Sequence, residues 1–159
     1  MTVAPASLTI AREDPRQPEA GALVAELDEH LRAIYPVTVC HLLDIESLAG
    51  PDVRFFVARI DGRAVGCGAL RIDPEGYGEV KRMYVRPGAR GAGLGRRLLD
   101  RLEEEARGLA LAALRLETGV AQPEAVALYR KAGFTGRGPY ADYPDDPLSI
   151  FLEKALVTP

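Results

Sequence analysis

The chain has 159 residues, of which 47% are hydrophobic and 27% are charged, a balance typical of one folded domain and not of a disordered chain. Its net charge of -3 at pH 7 argues against a general nucleic-acid-binding protein, which usually presents a basic face. Two distant cysteines and two histidines complete no zinc-binding spacing, so we expect no metal site.

The first third of the chain is predicted to contain one strand and two helices. Alternating apolar residues predict a strand over 7–12. Leucines at helical spacing predict a helix over 19–34 that Pro36 ends, and a second short helix is expected over 41–48.

Three strands are predicted next, over 53–60, 63–72 and 79–85. Asp61-Gly62 is a strong hairpin signal between the first two, and a turn over 73–76 follows the second. We therefore expect an antiparallel meander.

Helices and strands alternate in the rest of the chain. A helix is predicted from about Gly93 to Gly108, because apolar residues recur along it at helical spacing. A strand over 113–118 follows, and Pro123 begins another helix that stops at Gly133. With a last strand over 149–154, the pattern predicts a mixed α/β sheet flanked by helices.

A glycine-rich segment precedes the first of these later helices, and it has the composition of a phosphate-binding loop. Glycines let a ligand approach the backbone closely, and the N–H groups of a helix N-terminus attract anions. Nearby arginines add positive charge that suits a phosphate. The residues are Arg90, Gly91, Ala92, Gly93, Leu94, Gly95, Arg96 and Arg97.

Two other interpretations of this segment remain. It could be a flexible turn before an ordinary helix, since one glycine-rich loop is weak evidence alone. It could also begin a dinucleotide-binding G-x-G-x-x-G motif at Gly91 and Gly93, with Glu117 as the ribose ligand. Arg96 occupies the third glycine position of that motif, and the preceding strand is charged at Glu79 and Lys81, unlike a buried parallel strand.

Two segments in this order resemble the GNAT family of N-acetyltransferases. Arg90, Gly93 and Gly95 match the family's cofactor motif Q/R-x-x-G-x-G/A, and residues 125–134 (AVALYRKAGF) match its second motif. The segment GEVKRMYVRP before the loop is similar to the family's central strand, and the resemblance covers 53–134 well. Gln122 is a departure, because the family often has Asn there, the better helix cap.

The resemblance implies a mixed, mainly antiparallel sheet, with a splay between its central strands that admits the pantetheine arm of acetyl-CoA. It also implies that the central strand is bulged, which can re-aim groups beside an active site. By position, the Met83 backbone N–H would face the acetyl oxygen and Val85 would pair with the pantetheine amide. Residues 90–96, Gln122 and Tyr129 would complete the cofactor contacts.

Two catalytic residues follow from the resemblance. Tyr129 would contact the sulfur as a general acid, since a phenol is protonated at neutral pH; the alternative is core packing. Glu79 would act as the general base, directly or through water; the alternative is an exposed charge at a strand end, paired with Lys81 or Arg82. His41 is another candidate base, because its ordinary pKa is suitable.

The acceptor side is expected to be built by the segment after the first helix and by the C-terminal part of the chain. The candidate contacts are Tyr35, His41, Tyr140 and Tyr143. Acidic residues at 142, 145 and 146 could attract a cationic amine, or could simply form a solvated turn.

Taken together, these features predict one acyl-CoA N-acyltransferase domain over 1–159 that acetylates the amine of a small or amino-acid-like molecule. A non-catalytic acyl-CoA sensor is the alternative, and a nicotinamide-dependent enzyme is a third. We see no signal peptide and no apolar run of membrane-spanning length, so a cytoplasmic protein without membrane or nucleic-acid partners is expected. Family members are often dimers, so the resemblance also allows a homodimer.

Overall fold

The computed structural model describes residues 7–36 and 44–156. Within these ranges the strands form one seven-stranded sheet in the order β1-β2-β3-β4-β5-β7-β6. Only β4 and β5 pair in parallel, and the other neighbouring strands are antiparallel. The strands are β1 Leu8–Arg12, β2 Val53–Ile60, β3 Arg63–Ile72, β4 Tyr77–Val85, β5 Ala113–Gly119, β6 Thr135–Arg137 and β7 Ser149–Ala155.

The helices cover both faces of the sheet. They are α1 Pro18–Ile34, α2 Ile45–Leu48, α3 Leu94–Gly108 and α4 Pro123–Lys131, and a short 3-10 turn covers Pro87–Ala89. Side chains alternate along a strand, so Phe55 packs with α1 and α2 while its neighbour Phe56 packs with α3 and α4. Both phenylalanines are buried.

The predicted mixed sheet and its flanking helices are confirmed. β4 begins at Tyr77, two residues before its predicted start, because Tyr77 and Gly78 already pair with β5. The three-residue edge strand β6 was not predicted, since a segment containing Gly136 has no apolar alternation to reveal it. The predicted helix over 41–48 is described only from residue 44 onward, where α2 begins at Ile45.

β4 carries a bulge close to its centre. Cys67 of β3 pairs with Tyr84, whereas Ala69, two residues further on, pairs with Lys81, so β4 has one extra residue between the two pairs. Arg82 lies in this bulge with a φ of 57°, a conformation uncommon for residues other than glycine. The Arg82 guanidinium donates to Asp28 of α1, and its carbonyl accepts from the Cys67 thiol, so neighbouring groups hold the unusual backbone.

β4 and β5 separate soon after they pair. Their parallel register covers only Tyr77–Glu79 with Ala113–Arg115. Beyond that point β4 continues beside β3 to Val85, and β5 continues beside β7 to Gly119. The predicted splay between the central strands is therefore present, and it opens a cleft that strand pairing does not fill.

The connection between β1 and α1 is fastened to β2 by an ion pair. Arg59 donates from Nε to Glu13 Oε2 at 2.9 Å and from Nη2 to Glu13 Oε1 at 2.8 Å. Two parallel bonds of this kind fix both the distance and the plane of the pair. The Arg59 hydrogen bond lowers the pKa of the Glu13 carboxyl below its ordinary value, although partial burial opposes the change.

Candidate active site

A cleft lies between the diverging ends of β4 and β5. α1 contributes one wall, the β5–α4 connection contributes another, and the segment before β7 closes a third side. The lining residues are Leu27, Leu31, Tyr35, Glu79, Val80, Lys81, Arg82, Met83, Glu117, Thr118, Gly119, Gln122, Tyr129, Tyr143, Leu148 and Ser149.

The cleft brings together six of the residues selected from the sequence: Tyr35, Glu79, Met83, Gln122, Tyr129 and Tyr143. Tyr140 is buried behind this wall and bonds to Glu79 instead of lining the cleft. Val85 and the loop over 90–96 lie outside the lining. His41 lies outside the described residues.

Glu79 is buried, with only 2% of its surface exposed, so the interpretation as an exposed strand-end charge is wrong. Arg71 Nε donates to its Oε1 at 3.1 Å. Tyr140 Oη donates to its Oε2 at 2.8 Å, and Tyr143 Oη donates to the same oxygen. A buried carboxylate needs such donors to replace lost hydration, and here three side chains supply them.

Lys81 lies beside Glu79 at the cleft surface. Its ammonium group donates to Tyr143 Oη and lies 3.6 Å from Glu79 Oε2. Burial lowers the pKa of Lys81 below its ordinary value, while the Glu79 carboxylate acts in the opposite direction. Tyr143 Oη is therefore the atom that connects Lys81 to the buried carboxylate.

Tyr140 and Tyr143 form an aromatic layer over Glu79. Their ring centres are 5.1 Å apart, and each ring also contacts Phe151 of β7. Burial, followed by the Glu79 charge, raises the pKa of both hydroxyls above the ordinary value. Both tyrosines are thus protonated at neutral pH and remain hydrogen-bond donors to the carboxylate.

Tyr129 also lines the cleft and lies on α4. It is 7% exposed and its ring packs against Phe134 at a centroid distance of 5.8 Å, so it also has the packing role considered as the alternative. Burial raises the pKa of its hydroxyl above the ordinary value. Because Tyr129 lines the cleft, a protonated phenol is available to a molecule bound there.

The glycine-rich loop has the geometry that a phosphate requires. Gly91 and Gly93 have φ values of 90° and 75°, and Gly93 occupies the N-cap position of α3 without any side-chain cap. The first N–H groups of α3 therefore have no capping side chain to satisfy them. Neither glycine would have another atom within 4 Å of an added Cβ, so the space beside the loop is open. These features fit an acyl-CoA pyrophosphate.

Arg90 and Arg96 near this loop are exposed but already make contacts within the protein. Arg90 Nε donates to the Val85 carbonyl at 2.8 Å, and Arg96 Nε donates to Asp100 at 2.9 Å. A carbonyl oxygen has two lone pairs, so the bond from Arg90 leaves Val85 able to accept another donor. The remaining N–H groups of each guanidinium stay available to an anion.

Arg71 and Ser149 are parts of the site that sequence reasoning missed, whereas Lys81 was considered only as an ion-pair partner of Glu79. A signal existed for Arg71, because the 73–76 turn puts it directly opposite Glu79 in the β3–β4 register. Glu117, considered only as a ribose ligand, lines the cleft and accepts from Ser149 Oγ at 2.8 Å. Ser149 begins β7, which is the antiparallel neighbour of β5 in the sheet but is distant in the chain, so no local pattern could predict that contact.

Comparison with known proteins shows the family that this chain resembles. The model of the acetyltransferase (GNAT) family matches residues 14–134. An IAA acetyltransferase from Azospirillum brasilense is 58% identical over 151 residues, spanning 94% of this chain and 99% of that protein. The N-acetyltransferase YsnE of Bacillus subtilis is 34% identical, spanning 84% of this chain and 92% of that protein.

Solved structures show the same fold. A Klebsiella pneumoniae structure named as an acyl-CoA N-acyltransferase has a TM-score of 0.81 and 40% identity, covering 94% of this chain and 98% of that one. Salmonella typhimurium YncA, solved with acetyl-CoA, has a TM-score of 0.72 and 20% identity, covering 96% of this chain and 95% of that one. Within residues 7–36 and 44–156, none of the helices has the length and apolar character needed to cross a membrane.

Proposed function

Since this chain belongs to the acetyltransferase (GNAT) family, we propose that it moves the acetyl group of acetyl-CoA to the amine of a small or amino-acid-like molecule by direct attack. The observation that carries the proposal is that Glu79 and Tyr129 line one cleft where β4 and β5 separate. A carboxylate and a protonated phenol in one cleft can accept and donate the two protons that amine acetylation requires.

The chain is an acetyl-CoA-dependent N-acetyltransferase, and acetyl-CoA supplies an activated thioester when bound. We propose that the α3 N-terminus and residues 90–96 hold its pyrophosphate. Gln122, Met83 and Val85 line the path from there into the cleft, and the Met83 backbone N–H stabilises the acyl oxygen. One such backbone donor contributes about 3 kcal/mol to transition-state stabilisation.

Glu79 receives the proton of the attacking amine through Tyr143. Direct contact between Glu79 and an amine is hindered, because donors from Arg71, Tyr140 and Tyr143 already surround the carboxylate. Tyr143 lines the cleft and donates to Glu79 Oε2, so it can pass its own proton inward while its oxygen takes one from the amine. A single ordered water in the cleft would serve the same purpose.

Tyr129 donates to the departing sulfur from α4. Its hydroxyl is protonated because burial raises its pKa. The two proton transfers therefore take place on different elements, with Glu79 on β4 and Tyr129 on α4.

The charged residues that line the cleft are two carboxylates and two cations, so they do not by themselves favour an acceptor of either charge. Glu79 and Glu117 line it, and the Arg82 cation at its edge is already paired with Asp28. Lys81 compensates one carboxylate at 3.6 Å. Because one relative is named IAA acetyltransferase, IAA also belongs among the compounds to be tested.

We further propose that residues 1–159 form a single acyl-CoA N-acyltransferase domain that works in the cytoplasm and can pair as a homodimer. The continuous sheet formed by the described residues supports the first part. The resemblance to the family supports the homodimer, which light scattering on the purified chain would test.

The test of the proposed activity is CoA release from acetyl-CoA across a panel of amines, amino acids, polyamines, a lysine peptide and IAA. A blank without acceptor corrects for the protein's own thiols, and mass spectrometry of the product identifies the acetylated atom. Release with one chemical class of amine supports the proposal. Acetyl-CoA binding with no release from any acceptor would contradict it and favour an acyl-CoA sensor.

A further inference from the structure

Tyr35 directly follows the last residue of α1 and reaches across the cleft to the segment between β5 and α4. Its hydroxyl oxygen accepts a hydrogen bond from the Ala121 backbone N–H at 3.0 Å. The same hydroxyl donates to Gln122 Oε1 at 3.3 Å. One side chain at the end of α1 is thus bonded to two consecutive residues on the opposite wall.

Gly119 makes room for this contact. A Cβ added there would lie 1.9 Å from Tyr35 Oη and 2.4 Å from Tyr35 Cζ, distances that no pair of nonbonded atoms can adopt. The φ of Gly119 is not in the positive region that requires glycine. Glycine is therefore required at position 119 because the Tyr35 side chain occupies the space of a Cβ, and not because of the backbone conformation.

The position of Tyr35 matters because it bonds to Ala121 and Gln122, beyond the place where β4 and β5 cease to pair. Their last paired residues are Glu79 and Arg115, and from there the two arms of the sheet diverge. α1 packs on the β2–β4 arm, as shown by the buried contacts of Leu23 and Leu27. A bond from the end of α1 to the β5–α4 segment therefore joins the two arms across the cleft.

We infer that Tyr35 is a positioning residue. Its two hydrogen bonds, to Ala121 and Gln122, hold the two walls of the cleft together and so set the distance between them on the acceptor side. We call this pair of hydrogen bonds the clasp. This inference rests on the proposed acetyl transfer. The clasp also fixes the side chain of Gln122, because Gln122 Oε1 accepts a hydrogen bond from Tyr35. Within the described residues, Gln122 Nε2 donates to no side chain or backbone group, so it can face a ligand. Tyr35 thus connects the acceptor wall to a residue on the cofactor side.

The first test compares Tyr35→Phe with Tyr84→Phe. Tyr35→Phe keeps the ring and removes both hydrogen bonds across the cleft, so we expect the acceptor KM to rise about tenfold. Acetyl-CoA affinity by calorimetry should change far less, since the α3 loop is untouched. Tyr84 also bonds to α1, through Glu26 at 3.2 Å, but on one arm of the sheet, so Tyr84→Phe should leave the acceptor KM unchanged.

A second test uses the close approach at Gly119. Gly119→Ala should displace the Tyr35 ring and raise the acceptor KM about as much as Tyr35→Ala does. Gly119→Ala in a Tyr35→Ala background should then add little, because the clash is gone. The clasp would be overturned if the two substitutions raised the acceptor KM independently and additively, or if Tyr35→Phe left the acceptor KM unchanged.

Hydrogen exchange tests the clasp even without a known acceptor. The Ala121 amide should exchange faster in Tyr35→Phe than in the wild type, with amides of α3 unchanged, because its hydrogen-bond acceptor has been removed. Unaltered Ala121 exchange would refute the clasp whatever the catalytic assays give. Faster exchange in a protein that acetylates no amine would retain the clasp and reject the proposed function.

Discussion

Arg71 Nε lies 3.1 Å from Glu79 Oε1, and this bond joins residues that face each other in the β3–β4 register. Arg71 also donates to Asp73 at 2.8 Å, so its guanidinium is fixed from two directions. A buried carboxylate held in this way keeps a defined position at the base of the cleft. Its contribution to the reaction can therefore be separated from its contribution to folding.

Glu79→Gln should lower kcat about 100-fold or more, because the amide cannot take a proton from the acceptor while its shape is nearly unchanged. Acetyl-CoA binding by calorimetry should be retained. Glu153→Gln is the matched control, since Glu153 pairs with Arg137 and Arg115 outside the cleft lining. Equal kcat values for Glu79→Gln and wild type would exclude Glu79 as the base.

Tyr129→Phe should reduce kcat at least about tenfold while leaving acetyl-CoA affinity almost unchanged. The ring still packs against Phe134, so the melting temperature should stay close to that of wild type. Steady-state kinetics of the wild type between pH 6 and pH 9 should show no loss of activity from ionisation of Tyr129, because burial raises the pKa of its hydroxyl. Undiminished turnover in the variant would remove Tyr129 as an essential acid.

Gly93→Val should weaken acetyl-CoA binding about five- to thirtyfold, because a β-branched residue is strained by about 1–2 kcal/mol at this left-handed φ. A Cβ added at Gly93 meets no atom of the fold within 4 Å, so the effect would come from the backbone and from the open space beside it. Gly88→Val is the control, since Gly88 lies in the 3-10 turn without a positive φ. Identical affinities in the two variants would argue against the phosphate loop.

Glu13→Gln should destabilise the protein by about 1 kcal/mol at pH 7. Because the Arg59 hydrogen bond lowers the pKa of Glu13 in the folded state, the unfolded chain binds this proton more readily. The stabilisation by the Glu13–Arg59 pair is fully present above the ordinary carboxyl pKa. It is lost as the pH falls through the lowered pKa of Glu13 in the folded state. The difference in melting temperature should thus shrink below about pH 4, and a difference independent of pH would contradict this.

Signals from neighbouring residues were sufficient to predict most of the helices and strands. The leucine spacing of α1 and α3, the Asp61-Gly62 turn and the helix boundaries at Pro123 and Gly133 each depend on neighbouring residues. The edge strand β6 could not be found this way, because it exists through its pairing with β7. Its residues have no periodicity of their own.

The sequence by itself determined the family, because two short motifs carry the resemblance, and the same motifs suggested the proposed cofactor loop and the two residues proposed to move protons. Only the tertiary structure decided that Glu79 is buried beneath Tyr140 and Tyr143, and that Tyr35 bonds to the β5–α4 segment. These partners lie 61, 64 and 86–87 residues apart in the chain. Such contacts arise when β4 and β5 diverge and distant segments pack over the gap, which no local periodicity encodes.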